Sequence, residues 1–163
     1  MEHYEISLTI GPEEELRTII KSNPDRQFKI FQSVEDETEF MLLDYSDKRT
    51  IFHSGLDYYT CDAINPTHTE TGYLECRYVT LNKDDQKVFK SIFNSWHDET
   101  KRPAGLKSSV FVHAYKDDFE FLLIDLWESE DAFMGWNVNS NEMNQFGHDG
   151  NKTPVIKFYK EIK

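Results

Sequence analysis

The chain has only two cysteines in 163 residues, Cys61 and Cys76. They are too few and too far apart for a disulfide framework, a CxxC redox motif or a zinc site. Two reduced structural thiols are expected. No uninterrupted apolar stretch approaches the ~20 residues of a membrane span, and Met1-Glu2-His3-Tyr4-Glu5 lacks the basic and apolar regions of a signal peptide. These absences predict a cytoplasmic protein with no membrane partner. Basic residues are scarce as well: 18 Lys and Arg against 30 Asp and Glu leave a formal net charge of −12, which excludes a general affinity for nucleic acid because phosphate binding is dominated by Lys and Arg. No P-loop, GxGxxG or nucleophile-elbow sequence occurs.

What the chain does have is large apolar side chains. Twelve Phe, eight Tyr and three Trp, in a composition that is 38% hydrophobic, are too many for a disordered chain. The acidity is uneven: residues 1–70 carry six basic and fifteen acidic side chains, residues 71–163 twelve and fifteen. An anionic ligand therefore meets less repulsion in the second half. Two parts are expected, a strand-rich half over 1–70 and a second unit over 71–163.

In the first part, alternation in Tyr4-Ile6-Leu8-Ile10 predicts a strand. Gly11-Pro12 and the acidic turn Glu13-Glu14-Glu15 then open a short helix through Leu16, Ile19 and Ile20, which Asn23-Pro24 ends. Three strand-like runs follow, around Phe28–Gln32, Glu39–Asp44 and Thr50–His53. Gly55 to Gly72 shows no clean period and reads as the connection between the halves.

In the second part the pattern sharpens. Tyr73–Leu81 alternates as a strand, and Asn82-Lys83-Asp84-Asp85 supplies capping chemistry for a helix whose Val88, Phe89, Ile92, Phe93 and Trp96 share one face. Lys107–Tyr115 and Asp118–Trp127 read as a hairpin. Ser129 caps a helix bearing Phe133 and Trp136, the polar stretch Asn137–Asn141 interrupts it before Met143 and Phe146, and Thr153–Ile162 returns as a strand. The order β-α-β-β-α-β is the ferredoxin-like arrangement, an α+β fold. The run Phe119–Trp127 is apolar on both faces, so a second layer must cover the sheet's other side.

The string Leu126-Trp127-Glu128-Ser129-Glu130-Asp131-Ala132-Phe133-Met134-Gly135-Trp136, with Pro103-Ala104-Gly105-Leu106 upstream, resembles the antibiotic-biosynthesis-monooxygenase (ABM) family, in particular its two-part haem-degrading branch. It is also similar to TRAP-type signal-transduction proteins. The resemblance covers roughly residues 73–162. It implies an α/β barrel in which the N-terminal half supplies the second sheet, hence a monomer or a weakly self-associating homodimer. It further implies haem as cofactor, oxidative opening of the porphyrin with dioxygen, and an external reductase. The alternative is a non-catalytic protein of the same fold with a regulatory or other small-molecule-binding role.

The resemblance assigns three positions. Trp136 falls where the family has a tryptophan that presses on the porphyrin; by its own spacing it is equally a core residue, next to Phe133. The family's histidine lies ten residues on, where this chain has Phe146, and His148 is the nearest imidazole. On an uninterrupted helix two residues are ~200° of rotation, so His148 ligates iron only if Asn137–Asn141 absorbs an insertion, and is otherwise a solvated turn residue. Phe133 and Phe146 would then line the cofactor. Arg77 stands where the family has an asparagine; it suits a haem propionate, or an ion pair with Glu75 or Asp125. Asp125, among apolar neighbours, is expected either to titrate high and act in proton transfer or to pair with Arg77. His3, His53, His68, His97 and His113 form no ligand-spaced pair.

Overall fold

The computed structural model describes residues 5–53, 55–66, 72–146 and 153–162. Among them, eight strands close into one antiparallel barrel in the order β1-β3-β2-β8-β5-β7-β6-β4. The strands are β1 (Glu5–Gly11), β2 (Phe28–Ser33), β3 (Phe40–Asp44), β4 (Leu56–Ile64), β5 (Tyr73–Thr80), β6 (Leu106–Ala114), β7 (Glu120–Trp127) and β8 (Val155–Glu161). Helix α1 (Glu13–Ser22) follows β1, α2 (Lys83–Ser95) follows β5 and α3 (Glu130–Asn139) follows β7.

Side-chain alternation divides the molecule into three apolar layers. Even positions of β5 and β7, Leu74, Cys76, Leu122, Ile124 and Leu126, point into the barrel and meet Ile6, Leu8, Phe31, Met41 and Leu43 from the N-terminal strands. The second face of the apolar run in β7 is thus covered from within the same chain. Odd positions, Val79, Phe121, Leu123 and Trp127, point outward under α2 and α3, whose Phe89, Phe93, Phe133 and Trp136 complete that layer. On the opposite side Leu16 of α1 packs with Ile30, Phe40 and Leu42.

The helices begin as their capping residues dictate. Asn82 accepts the Asp85 amide at 2.8 Å, and Ser129 accepts that of Ala132 at 3.1 Å; each satisfies an orphan donor of the first turn. Two strand expectations change. Thr50–His53 is not a strand: the Thr50 amide donates to a Glu5 carboxylate oxygen at 3.1 Å, and Phe52 packs beside Phe28 with ring centres 6.5 Å apart. The segment read as a connection instead carries β4. Its register slips between Thr60 and Asp62, and a bulge of this kind destroys the period-2 pattern by which a strand is recognised.

Candidate functional site

The face of β5–β8 beneath α2 and α3 gathers Trp136, Phe133, Phe146 and Arg77. His148 lies outside the described residues. Helix α3 ends at Asn139, and a short 3-10 turn over Glu142–Gln145, opened by Asn141 accepting the Met143 amide at 3.0 Å, carries the chain back to the layer. That turn buries Met143 and delivers Phe146 to 4% exposure. The polar interruption read from Asn137–Asn141 is therefore the end of α3 and the start of this turn.

The aromatic side chains pack on one another. Trp136 lies 5.1 Å from Trp127 and 5.8 Å from Trp96, ring centre to ring centre, Phe133 lies 5.7 Å from Trp127, and Phe146 lies 5.1 Å from Phe89. These separations are those of tilted and edge-to-face aromatic pairs in a core. Both neighbouring indoles spend their N–H on carboxylates: Trp96 donates to Glu142 at 2.7 Å and Trp127 to Glu75 at 3.0 Å.

Under the aromatics lies a buried polar row. Register sets Glu75 of β5 opposite Asp125 of β7, and Asp125 opposite Ser109 of β6. Arg77, two residues along β5 on the same face, is 1% exposed. Its Nε donates to Glu75 Oε2 at 3.0 Å; its Nη2 lies 2.9 Å from the same oxygen, near enough for charge attraction but without hydrogen-bond alignment. Its Nη1 reaches Asn144 Oδ1 at 3.4 Å. The expected Arg77–Asp125 pair is not what forms: Arg77 is committed to Glu75, and Asp125 accepts from the Ser109 hydroxyl. Burial holds the carboxyls of Glu75 and Asp125 above the ordinary range, with Arg77 opposing that rise at Glu75 and the neighbouring Glu75 reinforcing it at Asp125. Glu75 was legible as a partner of Arg77; Ser109 and Asn144 were not, because only strand register and the 3-10 turn bring them there.

The described histidines stand elsewhere. His97 Nε2 meets the Asp62 carboxylate at 3.0 Å. His113 Nε2 lies 3.0 Å from the Asp118 carbonyl, which only accepts, so that nitrogen carries a hydrogen, and Nδ1 meets the Tyr59 hydroxyl. His53 borders a groove between α1, β1 and the 51–53 segment.

A cleft of about 580 Å³ opens between the 101–105 loop and α3. Lys101 and Arg102, the carboxylates Glu128, Asp131 and Glu142, and Gly135 and Trp136 are among the residues that line it. A side chain at Gly135 would meet nothing within 4 Å. Gly105 closes the loop with φ of +84°, its Cα against Ala132, a conformation and an approach that favour glycine.

No protein-family model matches the sequence. Solved structures share the fold. A ferredoxin-fold protein of Listeria monocytogenes related to antibiotic biosynthesis monooxygenases superposes with a TM-score of 0.79 at 18% identity, over 99% of this chain and 96% of that one. A haem-degrading enzyme of the same organism superposes at 0.77 with 17% identity, over 96% and 98%. A major regulator of staphylococcal pathogenesis superposes at 0.75 with 14% identity, over 98% and 99%. The chain has the fold of the ABM-like proteins.

Proposed function

We propose, from that shared fold and from the packing beneath α2 and α3, that this protein binds a small organic molecule in the cleft beside Trp136 and does not degrade haem in the sheet–helix layer. One observation carries the reading. The three positions at which the family resemblance places haem chemistry, Arg77, Trp136 and Phe146, are 1%, 6% and 4% exposed, and each is engaged by protein partners. A porphyrin entering there would have to part the Trp136–Trp127 and Phe146–Phe89 contacts and leave Arg77 or Glu75 buried without its counter-charge, which is strongly destabilising. A phenylalanine at position 146 offers no nitrogen to iron. Among the described residues, those at these three positions do not fit the group.

The cleft has the size of ordinary ligand sites. It joins an indole and a helix position without a side chain, Gly135, to charges of both signs, a surface suited to a compact amphoteric molecule. A role as a sensor or regulator is compatible with it and needs no cofactor.

Titration of the purified chain with haem tests the reading. The expected result is no saturable Soret change. A stoichiometric Soret shift that disappears in His148→Ala, followed by loss of the porphyrin spectrum when reductant is added, would overturn it and establish haem degradation.

A further inference from the structure

The buried row under the aromatic layer contains two carboxyls and one guanidinium. Like charges placed directly opposite one another in a sheet repel, and a buried carboxylate needs donors or a counter-charge. Glu75 has both. Arg77 Nε donates to its Oε2 at 3.0 Å and Trp127 Nε1 to its Oε1 at 3.0 Å. Asp125, 0% exposed, receives among the described residues the Ser109 hydroxyl, on Oδ1. Its Oδ2 is fully buried and has no donor among the described residues. As an ionised oxygen it would be an unserved acceptor facing a second carboxylate. As O–H it becomes a donor, and the acceptor directly opposite it across the strand pair is Glu75.

We propose that Asp125 keeps its proton at neutral pH, carries it on Oδ2 and donates it to Glu75, so that Asp125, Glu75 and Arg77 form an internal acid–base site of no net charge. Every element packed on the row is consistent with this. β6 contributes the Ser109 hydroxyl, β5 contributes Glu75 and Arg77, β7 the Trp127 N–H, and the 3-10 turn contributes Asn144 on Arg77. Helices α2 and α3 add apolar side chains, among them Phe89, Phe93, Phe133 and Trp136, and β8 sets Phe158 opposite Glu75 and Ile156 opposite Arg77; these deepen the burial without neutralising charge. Of the two carboxyls Asp125 holds the proton, because the guanidinium and the indole N–H already stabilise Glu75 as the anion.

Infrared difference spectroscopy of the full chain, wild type minus variant, tests this at about pH 7, where an ordinary carboxyl is ionised; the subtraction removes the band of Asp57, held near 7. The expected signal is a protonated-carboxyl carbonyl band that shifts down in D2O and vanishes in Asp125→Asn. No band in the wild type, or a band unchanged in Asp125→Asn, overturns the proposal. A band lost in Glu75→Gln but kept in Asp125→Asn places the proton on the other partner and overturns the assignment.

Asparagine copies the neutral acid, donating toward Glu75 and accepting from Ser109, so Asp125→Asn is expected to fold. The second readout is melting temperature against pH. A carboxyl whose folded pKa is raised contributes stability that is complete below its unfolded pKa and is lost as pH rises through the folded value. The wild type should therefore lose more melting temperature than Asp125→Asn on going from neutral to alkaline pH. Parallel profiles would overturn the proposal.

Discussion

Asp57 is a second place where one carboxyl makes stability depend on pH. It sits on β4 beside β1, and burial, then the nearby Glu5 carboxyl, push its pKa up to about 7, while Lys116 pulls weakly the other way. Because the folded value is raised, its contribution is present below about pH 4, the unfolded range, and is lost as pH rises to about 7. Asp57→Asn should flatten that slope. Urea melts at pH 5 and pH 8 check it, and equal losses in wild type and variant would exclude Asp57 as the source. The sequence offered no sign of this pair, since Glu5 and Asp57 are joined only by the β1–β4 register. Arg77 was better served: its place on the outward face of β5 followed from alternation, and Glu75, two residues away on that face, was a visible partner. The exclusive choice of Glu75 over Asp125 was not visible, because it depends on which carboxyl Ser109 serves.

Helix α3 shows what an element owes to its own residues. Ser129 caps it, Glu130 and Asp131 occupy its first turn, and their charge favours the helix N-terminus. Ser129→Ala should cost about 1 kcal/mol, seen as a fall of ~2–4 °C in melting temperature for a chain of this size. Gly135 lies mid-helix, where glycine costs about 1 kcal/mol relative to alanine, and nothing within 4 Å needs its bare backbone. Gly135→Ala is accordingly expected to raise the melting temperature by a similar amount while narrowing the cleft. A fall instead would show that the backbone there is not free to accept a methyl group. Capping and periodicity made α2 and α3 legible. β4 is hidden by its bulge, and Thr50–His53 reads like a strand because a short apolar pair, Ile51-Phe52, also occurs in a loop from which Phe52 reaches back to Phe28.

At the scale of the molecule, each half closes the other. β4 pairs with β6 and β8 with β2, so the two sheets are stitched at both seams and the interior is shared. We expect a single-chain mass by light scattering, and self-association of a fragment spanning 72–163, whose Leu74, Leu122, Ile124 and Leu126 would lose their cover. A fragment that stays monomeric and cooperatively folded would show that the second sheet is not needed. No helix among the described residues is long and apolar enough to cross a membrane. The sequence by itself determined the α+β class, the β-α-β-β-α-β order and the need for a covering layer, because hydrophobic period and capping are local properties written in consecutive residues. Only the tertiary structure decided the candidate site. Whether Trp136 and Phe146 face a ligand or each other's neighbours, and whether Arg77 meets a propionate or Glu75, depends on strand register and on the turn after α3, which bring together side chains as distant in sequence as Glu75, Ser109, Asp125 and Asn144.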